Sequence, residues 1–293
     1  MSRQRKIQHY KVDLTSHFTD IAYRLQDSEL QNTGFHYHEG YEIMQIWSDS
    51  GYVLVEDKIL PMQTGNIYII NALESHCTRP DEGTPYVRSK ITFSASHVRG
   101  LLEYMGQLYL LEPFIAGEKN SFNHIIPDDI TLKNFDRLFE KTEMEITAGS
   151  EAHLALVNAY LIEMLVIIYR WYILNKNSLL LLKPKVNKNI NMIIEYINNN
   201  LFEDLSIDKL CEHMFLNKYY LCHLFKRTTG LTIMQYIIER RISEAKKLLI
   251  SSDKTISEIS SHTGFNSFAI FSRTFKRITG YTPFAYKKKF SGL

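Results

Sequence analysis

Cysteine is nearly missing from this chain. Its three examples, Cys77, Cys211 and Cys222, lack metal-type spacing and are too few for a disulfide framework, so a reducing cytoplasm is expected. No apolar stretch follows the basic residues of the opening MSRQRKIQHYKVD, so no secretory signal is expected. Long apolar runs are also lacking. The greasiest segment, Leu161 to Leu174, carries Glu163 and Arg170 and falls short of the ~20 residues of a bilayer span. A buried or subunit-contacting helix is expected there, and no membrane partner. Strong net charge is absent too, at +2 over 293 residues. What is plentiful is apolar surface: 45% of the residues are hydrophobic, which excludes a disordered chain. The length leaves room for two domains.

The small net charge conceals an asymmetry. From Asn187 onward, 16 Lys+Arg stand against 9 Asp+Glu, a balance of +7, which leaves the remainder at −5. A basic segment on an acidic one points to a polyanion partner for one part only.

That basic segment also repeats itself. Phe225-Lys226-Arg227-Thr228-Thr229-Gly230 returns fifty residues later as Phe275-Lys276-Arg277-Ile278-Thr279-Gly280, and each copy leads to a tyrosine, Tyr236 and Tyr286. A repeat of this length is one folding unit used twice. In the first unit Ser206 can cap a short helix whose inward stripe is Ile207, Leu210 and Met214. A turn leads to Asn217, a second cap, and the next helix runs from Lys218 to Thr229 before Gly230 stops it. The second unit reads as Ser257–Ser261, a turn at Thr263-Gly264-Phe265, then Ser267–Thr279. Between them Ile233–Leu249 is an amphipathic connector. Two short helices joined by a brief turn make a helix-turn-helix. Two such units on a stiff connector can enter successive major grooves, ~34 Å apart. Lys226, Arg227, Lys276 and Arg277 recur at matching places and are expected to grip phosphates, which position the protein without specifying sequence.

Residues 1 to about 100 read as β. Tyr41–Trp47, Gly51–Val55, Ile67–Ile70 and Val87–Phe93 are rich in β-branched and aromatic residues, with turn residues between them. Strands this short and evenly spaced predict a small antiparallel barrel or jelly roll. His36 and His38 fall on one face of a strand, Glu42 follows, and His76 comes later. This set could hold a divalent cation. The favoured reading is pocket lining, with no metal and no cofactor. Tyr52, Tyr68, Arg88 and Lys90 are further lining candidates. Beyond the sheet segment, Asp128–Met144 and Ser150–Asn175 have helical spacing. The second is apolar around much of its circumference, so it is expected to pack on the barrel and on a partner subunit.

Two resemblances follow from quoted residues. FHYHEGYEI with LPMQTGNIYIINALESH resembles the two motifs of the cupin superfamily. YLCHLFKRTTGLTIMQYIIERRISEAKKLL and ISEISSHTGFNSFAIFSRTFKRITGYTPFAYKK resemble the DNA-binding domain of AraC/XylS transcription regulators, over more than a third of the chain. The carriers are Arg241-x3-Ala245-x2-Leu248-Leu249, Gly264-Phe265-x-Ser267 and Phe271-Ser272-Arg273-x-Phe275-Lys276-Arg277-x2-Gly280-x2-Pro283. The resemblance implies an α+β protein: a cupin-like effector-sensing domain at 1–125, a helical dimerisation segment at 126–182, a linker at 183–187 and a double helix-turn-helix domain at 188–293. It implies base reading by Lys218, Tyr219, Cys222 and His223 in the first unit and by Ser272 and Arg273 in the second. Leu221, Phe225, Phe271 and Phe275 are assigned to the core. Phe268-Ala269-Ile270 departs from the family, where polar residues are more usual. The effector pocket is assigned to His36, His38, Glu42, Tyr52 and His76. Expected partners are an operator duplex, a small molecule such as a sugar, RNA polymerase and a second copy of the chain. The rival reading is a cupin-type metalloenzyme with a helical appendage.

Overall fold

A computed structural model describes residues 18–27, 36–49, 51–56, 58–81, 83–115, 123–179 and 188–290. Strands β1 (Thr19–Asp27), β2 (Gly40–Ile46), β3 (Gly51–Val55), β4 (Lys58–Pro61), β5 (Ile67–Ile70), β6 (His76–Pro80) and β7 (Tyr86–Ser94) come first. Then follow α1 (Ala95–Tyr104), α2 (Glu112–Ile115) and the short β8 (His124–Ile125). The strands form two antiparallel sheets, ordered β1-β7-β2-β5-β8 and β4-β3-β6. The expected strand segments are present within a residue of their anticipated ends. β1, β4, β6 and β8 were not anticipated; β4 begins and β6 ends in a residue that read as a turn, Lys58 and Pro80.

Period-two alternation explains the layers. Along β3, Val53 and Val55 point between the sheets, where they meet Met44, Ile46, Leu60, Tyr68 and Ile70. Leu54 points the other way, into helices of the basic half. Along β2, Tyr41 and Ile43 face outward to a helical layer, while Met44 and Ile46 face inward. β2 is therefore buried along its whole length.

The outer layer is α3 (Asp129–Ala148) and α4 (His153–Leu179). Asp128 caps α3 by accepting from the Thr131 amide, and Gly149 ends it in the left-handed region. Leu161, Leu165 and Ile168 of α4 join Phe135 and Phe139 of α3 against the larger sheet. The helix extends beyond the apolar run seen in the sequence. Its stretch His153–Lys176, 24 residues, is long and apolar enough to cross a membrane by length and composition, which corrects the expectation that the run is too short. It packs on the larger sheet along one face, and 28% of its most apolar stretch is buried.

The basic half holds α5 (Lys188–Asn199), α6 (Ile207–Met214), α7 (Lys218–Thr229), α8 (Ile233–Ser251), α9 (Ile256–His262), α10 (Phe268–Thr279) and α11 (Pro283–Phe290). The first unit, α6 and α7, packs on α5 and the start of α8 through Ile193, Leu210, Leu221, Phe225 and Tyr236. The second, α9 and α10, packs on the end of α8 and on α11 through Leu249, Ile259, Phe271, Phe275 and Tyr286. The linker assigned to 183–187 lies outside the described residues.

Candidate nucleic-acid interface and histidine cluster

Each unit closes its second helix on a glycine, while at the start α7 has a side-chain cap bond and Ser267 before α10 makes none. Asn217 caps α7 by accepting from the Tyr220 amide, and Gly230 closes it at φ 72°. α10 closes on Gly280 at φ 76°. A residue with Cβ is strained at such angles. Leu221 and Phe225 in α7, and Phe271 and Phe275 in α10, are fully buried, as expected of core positions. The helices therefore turn a fixed opposite face to solvent.

On α7 that face carries Tyr219, 81% exposed, stacked on His223 with ring centroids 5.9 Å apart. Cys222 is half-buried beside them. Lys218 pairs with Asp208 at 2.9 Å, one helix away. On α10 Arg273 is exposed and Ser272 half-buried. Lys226, Arg227, Lys276 and Arg277 stand exposed in the last turns of the two helices. Cations there also suit the negative end of each helix dipole.

One positioning residue had no assigned role in the sequence reading. Arg241, on α8, donates to three backbone carbonyls: Leu201 at 2.8 Å, Gly264 at 2.7 Å and Glu203 at 2.7 Å. It ties the connector to the loop after α5 and to the turn of the second unit. A Cβ on Gly264 would sit 3.1 Å or less from the Phe202 carbonyl oxygen and the Arg241 guanidinium, so glycine is needed there. Arg241 thus holds the two units in one spatial relation. Its signal was visible, since Arg241 opens the quoted signature, but its partners are carbonyls contributed by distant loops.

In the sheet half, His38, Glu42 and His76 converge. They are 6%, 3% and 1% exposed, and one ligand atom from each lies within 4.8 Å of the others. His38 Nδ1 donates to the Gly40 carbonyl at 2.8 Å and His76 Nδ1 to the Glu74 carbonyl at 2.9 Å. Those bonds fix the tautomer, leaving each Nε2 turned to the Glu42 carboxylate, at 3.3 and 3.7 Å. Among the described residues neither Nε2 has a hydrogen-bond partner. Two imidazole lone pairs and a carboxylate with their outer nitrogens pinned are a donor set that fits a divalent cation. Lys90, 3.8 Å from Glu42, already offsets part of the negative charge. Burial alone would raise the Glu42 pKa, but the Lys90 ammonium holds it well below the carboxylate range.

Of the other pocket candidates, His36 lies beside His76, ring centroids 4.2 Å apart. Tyr52 does not join the cluster. It sits on the smaller sheet against the core of the first helical unit, because its register position on β3 points away from the space between the sheets. Tyr68 is buried between the sheets with its hydroxyl donating to the Pro61 carbonyl at 2.5 Å. Arg88 stacks over Tyr86 at 4.7 Å.

The sheet half and the helical half meet along α8. Glu56, in the turn after β3 at φ 50°, is 6% exposed. Its carboxylate accepts from Arg240, from Ser243 Oγ at 2.6 and 2.7 Å, and from the Ser75 amide at 3.0 Å. Lys246 donates to the Leu73 carbonyl at 2.9 Å and lies over the Tyr37 ring at 3.9 Å. Burial pushes Lys246 down to about 8. The Tyr37 hydroxyl donates to the carbonyl of Thr279, the last residue of α10, at 2.9 Å. These contacts were not anticipated. Glu56 read as an ordinary turn residue.

The residues 18–140 match a family model described as the AraC-like ligand binding domain, and 210–289 match one described as a helix-turn-helix domain. The chain belongs to the AraC family. Together the two matches take in more than two thirds of it. Among relatives, an uncharacterised HTH-type transcriptional regulator from Pseudoalteromonas carrageenovora is 41% identical over 33% of this chain and 57% of its own length. The regulator YobQ of Bacillus subtilis is 35% identical over 36% of this chain and 44% of its own. The arabinose operon regulatory protein of Salmonella typhimurium is 26% identical over 62% of each chain. This AraC-family chain spans about half the length of the first curated relatives it matches.

Proposed function

We propose that the protein is a sequence-specific transcription regulator that reads two successive major grooves with α7 and α10. The observation that carries this is the doubled scaffold. Two capped helices, each with a basic pair in its last turn and a solvent-facing flank, are fixed to one connector by buried aromatics and by Arg241. Phosphates bind the basic pairs, and base edges are met by Lys218, Tyr219, Cys222, His223, Ser272 and Arg273. The sheet half, 1–125, takes a small-molecule effector near the His36, His38, Glu42 and His76 cluster. A sugar is the first class to test, since one relative is named for the arabinose operon. Residues 126–182 pair two copies through the exposed part of α4, where Leu154, Leu156 and Leu174 face solvent. RNA polymerase and a cytoplasmic location belong to the same reading.

The metalloenzyme alternative is weaker on geometry. A catalytic metal keeps an open coordination position, whereas His38, Glu42 and His76 are nearly inaccessible.

The test is selection of duplexes from a random pool by the full-length protein. Enrichment of a bipartite site with half-sites one helical turn apart supports the reading; recovery of unenriched sequence overturns it. Affinity for the selected site should fall steeply with salt. Lys226→Ala or Lys276→Ala should lower the log–log slope by about 1 while sequence preference stays the same.

A further inference from the structure

The two recognition helices share a scaffold but not a chemistry at their tips. Aligning the two caps, Gly230 on Gly280, sets Lys218, Tyr219 and Tyr220 of α7 against Phe268, Ala269 and Ile270 of α10. The first tip is polar. The second is wholly apolar, and it is open: Phe268 is 51% and Ile270 56% exposed, with Ala269 exposed between them. Local packing does not absorb these side chains. Phe268 meets Phe271 at the edge of the core, its ring 6.3 Å from that of Phe271 and tilted 46°. That contact holds the ring in place without covering it.

Such a tip stands where the first turn of a recognition helix meets base edges. In the major groove one base alone presents an apolar group, the C5-methyl of thymine. The basic pair Lys276 and Arg277, exposed at the other end of the same helix, anchors it to phosphate, so one helix carries both an apolar tip and a cationic anchor. We infer that Phe268 and Ile270 read thymine methyls, so that the half-site of the second unit is thymine-bearing while that of the first is read through polar edges. This rests on the DNA-reading function proposed above.

The experiment replaces thymine by deoxyuridine, which removes the methyl and leaves every hydrogen-bonding edge unchanged. The full-length protein first selects its duplex. The half-site of the second unit is then identified as the one whose preference relaxes in Arg273→Ala. Uracil at its thymines should weaken binding about fourfold per methyl, the worth of one buried methylene-sized group. Uracil in the other half-site should change little. In Phe268→Ala and Ile270→Ala the uracil penalty should shrink toward none, with an unchanged circular dichroism spectrum showing that the exposed substitutions leave the fold intact. Ile270→Asn should move the preference toward adenine, which Asn pairs bidentately. Equal affinity for thymine and uracil duplexes, or a second half-site without thymine, overturns the inference and leaves the DNA-binding reading standing. Failure to enrich any duplex overturns that reading and this inference with it.

Discussion

Glu42 and Glu56 are both buried carboxylates held by cations, yet they do opposite things to the molecule. Glu42 is surrounded by its own half of the chain: His38, His76, Lys90 and the Thr92 hydroxyl, which donates to it at 3.0 Å. Glu56 takes Arg240 and Ser243 from the helical half and the Ser75 amide from its own. The first closes a cluster between strands. The second joins two bodies. A buried charge is tolerated only when it is paired and hydrogen-bonded, and these two show that the partners' place in the chain decides whether such a pair is an inner site or a seam.

The largest effect should come from breaking the seam. Glu56→Ala takes the nearer carboxylate from Arg240, 7% exposed, and leaves it Glu244 at 3.4 Å; a truncated buried pair costs about 3–5 kcal/mol. Urea denaturation should show the loss, and separate transitions for the two halves in place of one would locate it between them. The paired replacement Glu56→Leu with Arg240→Met should recover most of that stability, since both charges of the pair are removed together. If Glu56→Ala unfolds with the wild type, the seam contributes nothing.

Glu42→Gln should cost less, about 1–3 kcal/mol, because Lys90 is 17% exposed and can reach water. The same variant should abolish any stabilisation by added zinc, read as a thermal shift; a zinc shift that survives it would remove Glu42 from the donor set.

A smaller effect separates the seam by pH. Burial alone would raise Glu56, but Arg240 and its neighbours hold it below its usual range, so its contribution is present above the unfolded carboxylate value and lost as pH falls through the folded one. Glu239 behaves oppositely. Burial pushes it up to about 7, so the folded state keeps a proton that the unfolded state gives up, and stability falls as pH rises from about 4.5 to 7. Glu239→Gln should flatten that part of the stability profile and leave the acid side unchanged. An identical profile would show that Glu239 is ionised in the fold.

The helical half was legible in its caps and core, although α8 runs on to Ser251 and α11 was not anticipated. Asn217, Ser206, Gly230 and Gly280 cap where the sequence places them, and Phe225 and Phe275 are buried. Caps and a 3.6-residue period are local signals, and a helix satisfies its backbone within itself. The sheet half was less legible. Lys58 read as the end of a turn and opens strand β4, because pairing with β3 supplies partners that no local pattern shows. Strand alternation linked His36 and His38, yet both precede β2, and His36 meets His76 through an isolated bridge. Tyr52 was misplaced because alternation says which residues share a face, not which face looks inward.

Sequence alone determined that there are two equivalent helix-turn-helix units, where their core and caps lie, and that their tips differ. Each follows from contacts a few residues apart. Only the tertiary structure decided that Glu56, Tyr37 and Lys246 bind the sheet half to the connector and to the end of α10, and that Arg241 holds the two units in register. Those side chains meet partners tens to hundreds of residues away, and whether a buried charge finds its counter-charge is settled by the packing of whole layers rather than by any stretch of chain.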